Sequence, residues 1–257
     1  MSTTPARPFR LRGLLAAGLL CTAVLTGCGG DDADDEPQAD PDAKSAAASA
    51  KPEPEPDLAS GLLGADAFGP TAVVTALSPE QLEQGAALSS DLDDVQVTPP
   101  ECDAAVQGTQ PDLDDFDDVA AVSAAEETSV VVEMLIRGGP VEEQIDALTE
   151  TAERCPQVQV SAPALGGASV SAVFENLPAP DLGDEAAVVR YTTTVALPDG
   201  TQGAVPMLIG AVEDGDRLVF LTTLAADPTA AAAVPLDATA FTSLLEQAYE
   251  TQAAALD

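Results

Sequence analysis

The chain has 257 residues, 44 Asp and Glu against 9 Lys and Arg, no histidine, and a formal net charge of −35. Lacking histidine, it can build no Ser-His-Asp triad, Cys-His dyad or His-ligated metal site. Such a charge repels phosphate backbones, whose binding needs clustered Lys and Arg, so nucleic acid is excluded as a partner. The length allows one or two domains with a real core.

Residues 1–27 carry Arg7, Arg10 and Arg12, no acid, and an apolar run from Leu14 to Leu25. That run is shorter than the ~20 residues a spanning helix needs, so the segment is expected to be a secretory signal peptide and not an anchor. Leu25-Thr26-Gly27-Cys28 resembles the lipobox of bacterial lipoproteins. The resemblance implies cleavage before Cys28 and diacylglycerol on its thiol, which would tie the chain to the outer face of the cell membrane. An ordinary signal with a chance cysteine is the alternative. Removal of the signal leaves 6 cations against 44 acids, a charge of −38.

Residues 28–57 are expected to form a disordered tether. From Gly29 to Asp57 there are ten acids, Lys44 and Lys51, an Ala/Ser stretch and the repeat Pro52-Glu53-Pro54-Glu55-Pro56. Almost no large apolar side chain is present to offset the entropy of ordering. Residues 58–257 then hold 34 acids and only Arg137, Arg154, Arg190 and Arg217, with no second Pro-rich linker, and are expected to be a single domain.

Ser78-Pro79-Glu80 places a capping residue before Pro at the first helical position, which predicts a short helix over 79–88. Val95-Gln96-Val97 alternates like a strand and stops at Pro99-Pro100. Val119–Val122 and Ser129–Ile136 predict a hairpin through Glu126-Glu127. Pro140 opens a helix whose stripe is Val141, Ile145, Leu148 and Ala152, ended by Cys155-Pro156. Val158–Val160 and Ser169–Phe174 are two further short strands. Val188–Ala196, Gly203–Val212 and Arg217–Leu224, separated by turns at Pro198–Thr201 and Glu213–Asp216, predict an antiparallel meander. A last helix is capped at Asp237 or Thr239 and carries Phe241, Leu244, Leu245, Ala248 and Tyr249 on one stripe. The expected class is α+β, a twisted antiparallel sheet with helices packed on one face.

With Cys21 lost in the signal and Cys28 acylated, Cys102 and Cys155 remain as an even pair in an oxidising compartment and are expected to form a disulfide. A redox-active pair is disfavoured by the long spacing and the lack of Cys-x-x-Cys.

The order of features resembles the actinobacterial secreted sensor-domain lipoproteins, which are similar to the extracellular domain of mycobacterial receptor kinases of the PknH type. The features are the lipobox and acidic tether, a Ser-Pro-Glu-Gln-Leu helix, Thr98-Pro99-Pro100-Glu101-Cys102, a hairpin, a helix ending in Cys155, and Leu182-Gly183-Asp184-Glu185 before a strand. Over residues 58–257 the resemblance implies an α+β module with a ligand cleft and no enzymatic activity. That kinase domain carries two disulfides, where this chain has cysteines for one, so part of the cleft is expected to differ.

Candidate sites are few. Asp112, Asp114, Asp115, Asp117 and Asp118 suggest calcium, yet no Gly takes the sixth position of an EF-hand loop and Phe116 stands where an oxygen ligand belongs. A solvated acidic loop is the plainer reading, and it extends to Asp91, Asp93 and Asp94 and to Glu213, Asp214 and Asp216. Paired carboxylates suit glycosidases, but the chain has no tryptophan and only Tyr191 and Tyr249 as tyrosines, too few for a sugar platform. The arginines are the rarer groups, each expected to pair with a carboxylate. Arg190 shares a strand face with Val188 and Thr192 and ranks ahead of Arg137 as a candidate to orient an anionic ligand.

The sequence therefore predicts a non-enzymatic, lipid-anchored extracytoplasmic binding or sensory module, without metal or cofactor. A carrier or chaperone for an apolar envelope lipid is the second reading, and an acidic protein-interaction module without a small ligand is the third. The partners expected are the membrane, through Cys28, and an envelope small molecule, lipid or protein.

Overall fold

Strands in the computed structural model join into one antiparallel sheet of nine, in the order β1-β3-β4-β9-β8-β7-β6-β5-β2. The structure describes residues 56–90, 95–103, 111–162, 166–225 and 236–256. The expected signal peptide, Cys21, Cys28, nearly all of the tether, and Asp91, Asp93 and Asp94 lie outside the described residues.

The strands are β1 (Val73–Leu77), β2 (Gln96–Thr98), β3 (Asp118–Ala125), β4 (Ser129–Arg137), β5 (Gln157–Ser161), β6 (Ser169–Leu177), β7 (Glu185–Ala196), β8 (Gln202–Asp214) and β9 (Arg217–Ala225). The helices are α1 (Pro79–Ser90), α2 (Val141–Arg154) and α3 (Ala238–Leu256). The two predicted units, the β3-β4 hairpin and the β7-β8-β9 meander, become one sheet because β9 pairs with β4 from Ser129 opposite Ala225 to Arg137 opposite Arg217. β1 was not anticipated; it pairs with β3 over Val73 to Leu77 and forms one edge.

The class is α+β as expected, but the helices lie on both faces of the sheet and not on one. Alternate residues of the central strands enter two separate cores. Ile136, Val189, Ile209, Leu218 and Phe220 meet α2 through Ile145, Leu148 and Ala152. Leu135, Val188, Leu208, Val219 and Leu221 meet α3 through Phe241, Leu245 and Ala248. Burial on both sides explains why Leu218-Val219-Phe220-Leu221 is continuously apolar and does not alternate. Gly210 permits the close approach of α3: a Cβ there would lie 2.9 Å from Leu245 Cδ2 and 3.0 Å from Phe241 Cε1.

Helix ends follow their capping chemistry. Gln81 N–H donates to Ser78 Oγ at 3.3 Å while Ser78 N–H donates to Gln81 Oε1 at 2.9 Å, a capping box that starts α1. Asp237 caps α3, its Oδ1 accepting from Thr239 N–H at 2.9 Å and Ala240 N–H at 3.1 Å.

Cys102 and Cys155 form the expected disulfide, with Cα atoms 5.7 Å apart and 53 residues of separation. Both are buried in the α2-side core, so the bridge fastens the turn after β2 to the C-terminal end of α2.

Ahead of β1 runs an N-terminal strap built of two 3-10 turns, Leu58–Gly61 and Ala65–Phe68. Leu58, Leu63 and Phe68 are buried in the α3-side core. The strap is pressed between β4 and α3, since a Cβ on Gly61 would lie 2.9 Å from Leu135 Cδ1 and 3.2 Å from the Gln252 Cα.

Candidate functional site

Four elements meet at one end of the α3 side: the second strap turn, the β3-β4 turn, the end of β9 and the first turns of α3. They enclose a groove of about 560 Å³. Its floor is apolar and buried, made by Phe68, Val131, Leu208, Ala225 and Phe241. Its rim is polar, with Thr128, Asp237, Ser243 and Gln247 exposed to water. This geometry suits a molecule that lays an apolar side down and keeps a polar side in solvent.

A second recess of about 380 Å³ adjoins the groove and shares Leu208 and Leu236 with it. Arg190, Thr192, Pro206 and Met207 complete its lining. Arg190 faces the α3 side because it is two residues from Val188 on β7. Glu175 stands directly opposite on β6 and accepts from Arg190 Nη1 at 2.7 Å. The pair holds the partly exposed guanidinium at the recess, and the guanidinium has N–H groups beyond the one that Glu175 accepts.

Arg137, the other candidate, is not part of this lining. It sits at the opposite end of β4, where its Nη2 donates to the Pro56 carbonyl at 2.8 Å and approaches Asp118 Oδ2 at 3.9 Å. The structure does not bring Arg137 and Arg190 together; Arg137 instead binds the backbone just ahead of the strap. All four described arginines have carboxylate partners, Arg154 with Glu150 and Arg217 with Asp214 at 2.8 Å completing the set. Asp214 also accepts from Gln252 Nε2 at 2.7 Å, tying the β8-β9 turn to α3.

The acid-rich segment Asp112–Asp118 folds as a 3-10 turn, Leu113–Asp115, with its aspartates exposed while Leu113 and Phe116 pack against the α2-side core. Among the described residues no group of three or more Cys, Asp and Glu is placed to hold a metal ion. Glu213 is buried at the end of β8, and its carboxyl is pushed above the usual range by desolvation and then by Glu142, Asp184, Glu185 and Asp146.

No protein-family model and no curated protein matches the sequence. Solved structures do resemble the chain. An uncharacterized protein from Mycobacterium smegmatis is 18% identical with a TM-score of 0.46, the match covering 77% of this chain and 97% of that one. The extracellular domain of PknH from Mycobacterium tuberculosis is 12% identical with a TM-score of 0.40, covering 74% of this chain and 93% of that one. No helix among the described residues is long and apolar enough to cross a membrane.

The groove itself was not legible in the sequence, because its floor comes from Phe68, Val131, Leu208 and Phe241 on four distant segments. One further residue was missed: Glu133, at the centre of β4 on the α3 side, is fully buried. Its two carboxylate oxygens accept from one donor, Leu63 N–H of the strap, at 3.0 and 3.3 Å. Burial raises its pKa to about 7, against the lowering effect of that hydrogen bond.

Proposed function

We propose that this protein is a non-enzymatic binding and sensory module that takes an amphiphilic small molecule in the α3-side groove, and that lipid on Cys28 holds it at the outer face of the cell membrane. The observation that carries the reading is the pairing of a buried apolar floor, Phe68, Val131, Leu208 and Phe241, with a polar exposed rim and an arginine-bearing recess next door. A receptor site of this form lets part of the ligand be seen from outside. A carrier, by contrast, needs an enclosed apolar cavity, and among the described residues the exposed Thr128, Asp237 and Gln247 leave this groove open to water.

Native mass spectrometry of the full chain purified from its own envelope tests both halves together. The expected spectrum shows a mature chain that begins at the acylated Cys28 and carries a small amphiphile. Leu236→Glu, a change at one of the two residues shared by groove and recess, is expected to weaken binding of dansylaminoundecanoic acid at least about tenfold, because it sets a charge beside the apolar floor. A lipid held one to one and withheld from added albumin makes the protein a carrier. A captured basic protein with no small molecule makes it an interaction module. Turnover of the bound molecule overturns the non-enzymatic reading.

A further inference from the structure

Among the described residues Glu133 has no cation to offset its burial. Its neighbours along β4 on the same face are Val131 and Leu135, and its cross-strand partners are Val122 on β3 and Leu221 on β9, none of them ionisable. From the strap come Leu58, Gly61 and Leu63, while the strap's carboxylates, Asp57 and Asp66, are exposed. From α3 come Leu245, Ala248 and the buried amide of Gln252; its Glu246 and Glu250 are exposed and Tyr249 is half-buried. The cation of β4, Arg137, stands four residues away and is engaged by Asp118 and the Pro56 carbonyl, and that of β9, Arg217, pairs with Asp214. The β3 carboxylate, Asp118, lies opposite Arg137 at the far end of the strand.

An ionised carboxylate in such surroundings is costly, and one backbone N–H does not offset the loss of water. The same N–H belongs to the strap, whose next turn supplies Ala67 and Phe68 to the groove. Val131, two residues from Glu133, lines the groove from the sheet side. We propose that Glu133 is a proton-operated latch: neutral, it lets Leu58–Phe68 lie closed on the sheet, and ionised, it draws in water and frees the strap, taking away one wall of the groove. The effect on ligand rests on the groove reading above; the latch itself does not.

The test follows strap amides by NMR hydrogen exchange in the full chain. With an open-state carboxyl near 4.5 and a closed-state value of about 7, linkage makes the opening constant rise about tenfold between pH 6 and pH 8. The Leu63 protection factor, corrected for intrinsic exchange, is therefore expected to fall about tenfold over that range in the wild type and to stay level in Glu133→Gln. Equal profiles in the two proteins overturn the latch. A direct carbon-13 titration of the Glu133 carboxyl in the wild type needs no variant: a midpoint near 7 is expected, and one near 4.5 overturns the proposal. Dansylaminoundecanoic acid separates the two ideas. If it binds at no pH while the strap still titrates, the groove reading fails and the latch stands. If it binds equally at pH 6 and pH 8 while the strap stays protected, the latch fails and the groove stands.

Discussion

Glu133 sits where a charge has little to gain. The unfolded glutamate titrates near 4.5 and the folded one at about 7, so the folded state keeps a proton that the unfolded chain has already lost. A raised folded pKa contributes stability that is fully present below about pH 4.5 and is lost as pH rises through about 7. At 1.36 kcal/mol per pH unit the loss amounts to about 3 kcal/mol. Urea unfolding at pH 5 and pH 8 checks the sign: the wild type is expected to lose stability across this interval, and Glu133→Gln to lose about 2 to 3 kcal/mol less, since part of the loss already precedes pH 5. A smaller decline remains in the variant, because Glu213 is shifted in the same direction by burial and by the carboxylates around it. Nothing in Val130-Val131-Val132-Glu133-Met134 announced this. A lone acid in an apolar strand ordinarily marks the solvent side, and the segment that covers it arrives from 70 residues upstream. Arg190 was more legible: its face followed from the alternation through Val188 and Thr192, while the Glu175 opposite it depended on strand pairing that local pattern does not reveal.

Secondary elements with local causes were the readable ones. The stripe Val141, Ile145, Leu148 and Ala152 is buried as expected, and the turns at Pro198–Thr201 and Glu213–Asp216 lead into the strands that their chemistry implies. β1 escaped notice because Val73–Leu77 has its partner, β3, more than forty residues downstream. The two-sided distribution of helices escaped because an apolar run fits either a strand buried on both faces or a piece of buried helix. At this scale the Cys102–Cys155 bridge makes the sharpest claim. It closes a 53-residue loop that contains β3, β4 and α2, and the chain-entropy model assigns such a closure about 4 kcal/mol. Replacing both cysteines by alanine is expected to lower unfolding stability by about that amount in denaturant titration. The loss should first show as weakened amide protection at the C-terminal turn of α2.

Across the whole molecule the dominant quantity is charge. From Leu58 onward 34 acids face four arginines, and all four arginines are already paired. Self-repulsion among the remaining carboxylates opposes compaction and is screened by salt. The melting temperature of the full chain is therefore expected to rise by about 5 °C between ~10 mM and ~0.5 M NaCl, given that ~1 kcal/mol moves a domain of this size by about 2–4 °C. Calcium at matched ionic strength is expected to add nothing further, and a calcium-specific rise measured by calorimetry would revive the metal reading of Asp112–Asp118. The hydrogen bond from Arg137 to the Pro56 carbonyl has a mechanical meaning as well. A pull on the chain ahead of Pro56 is met first by that guanidinium, then by Leu58 in its apolar seat, then by Glu133 holding Leu63. These contacts lie in series and give way one after another, while the β-ladders behind them would have to shear as a block. Tension from the N-terminal side would therefore peel the strap away and leave the sheet intact.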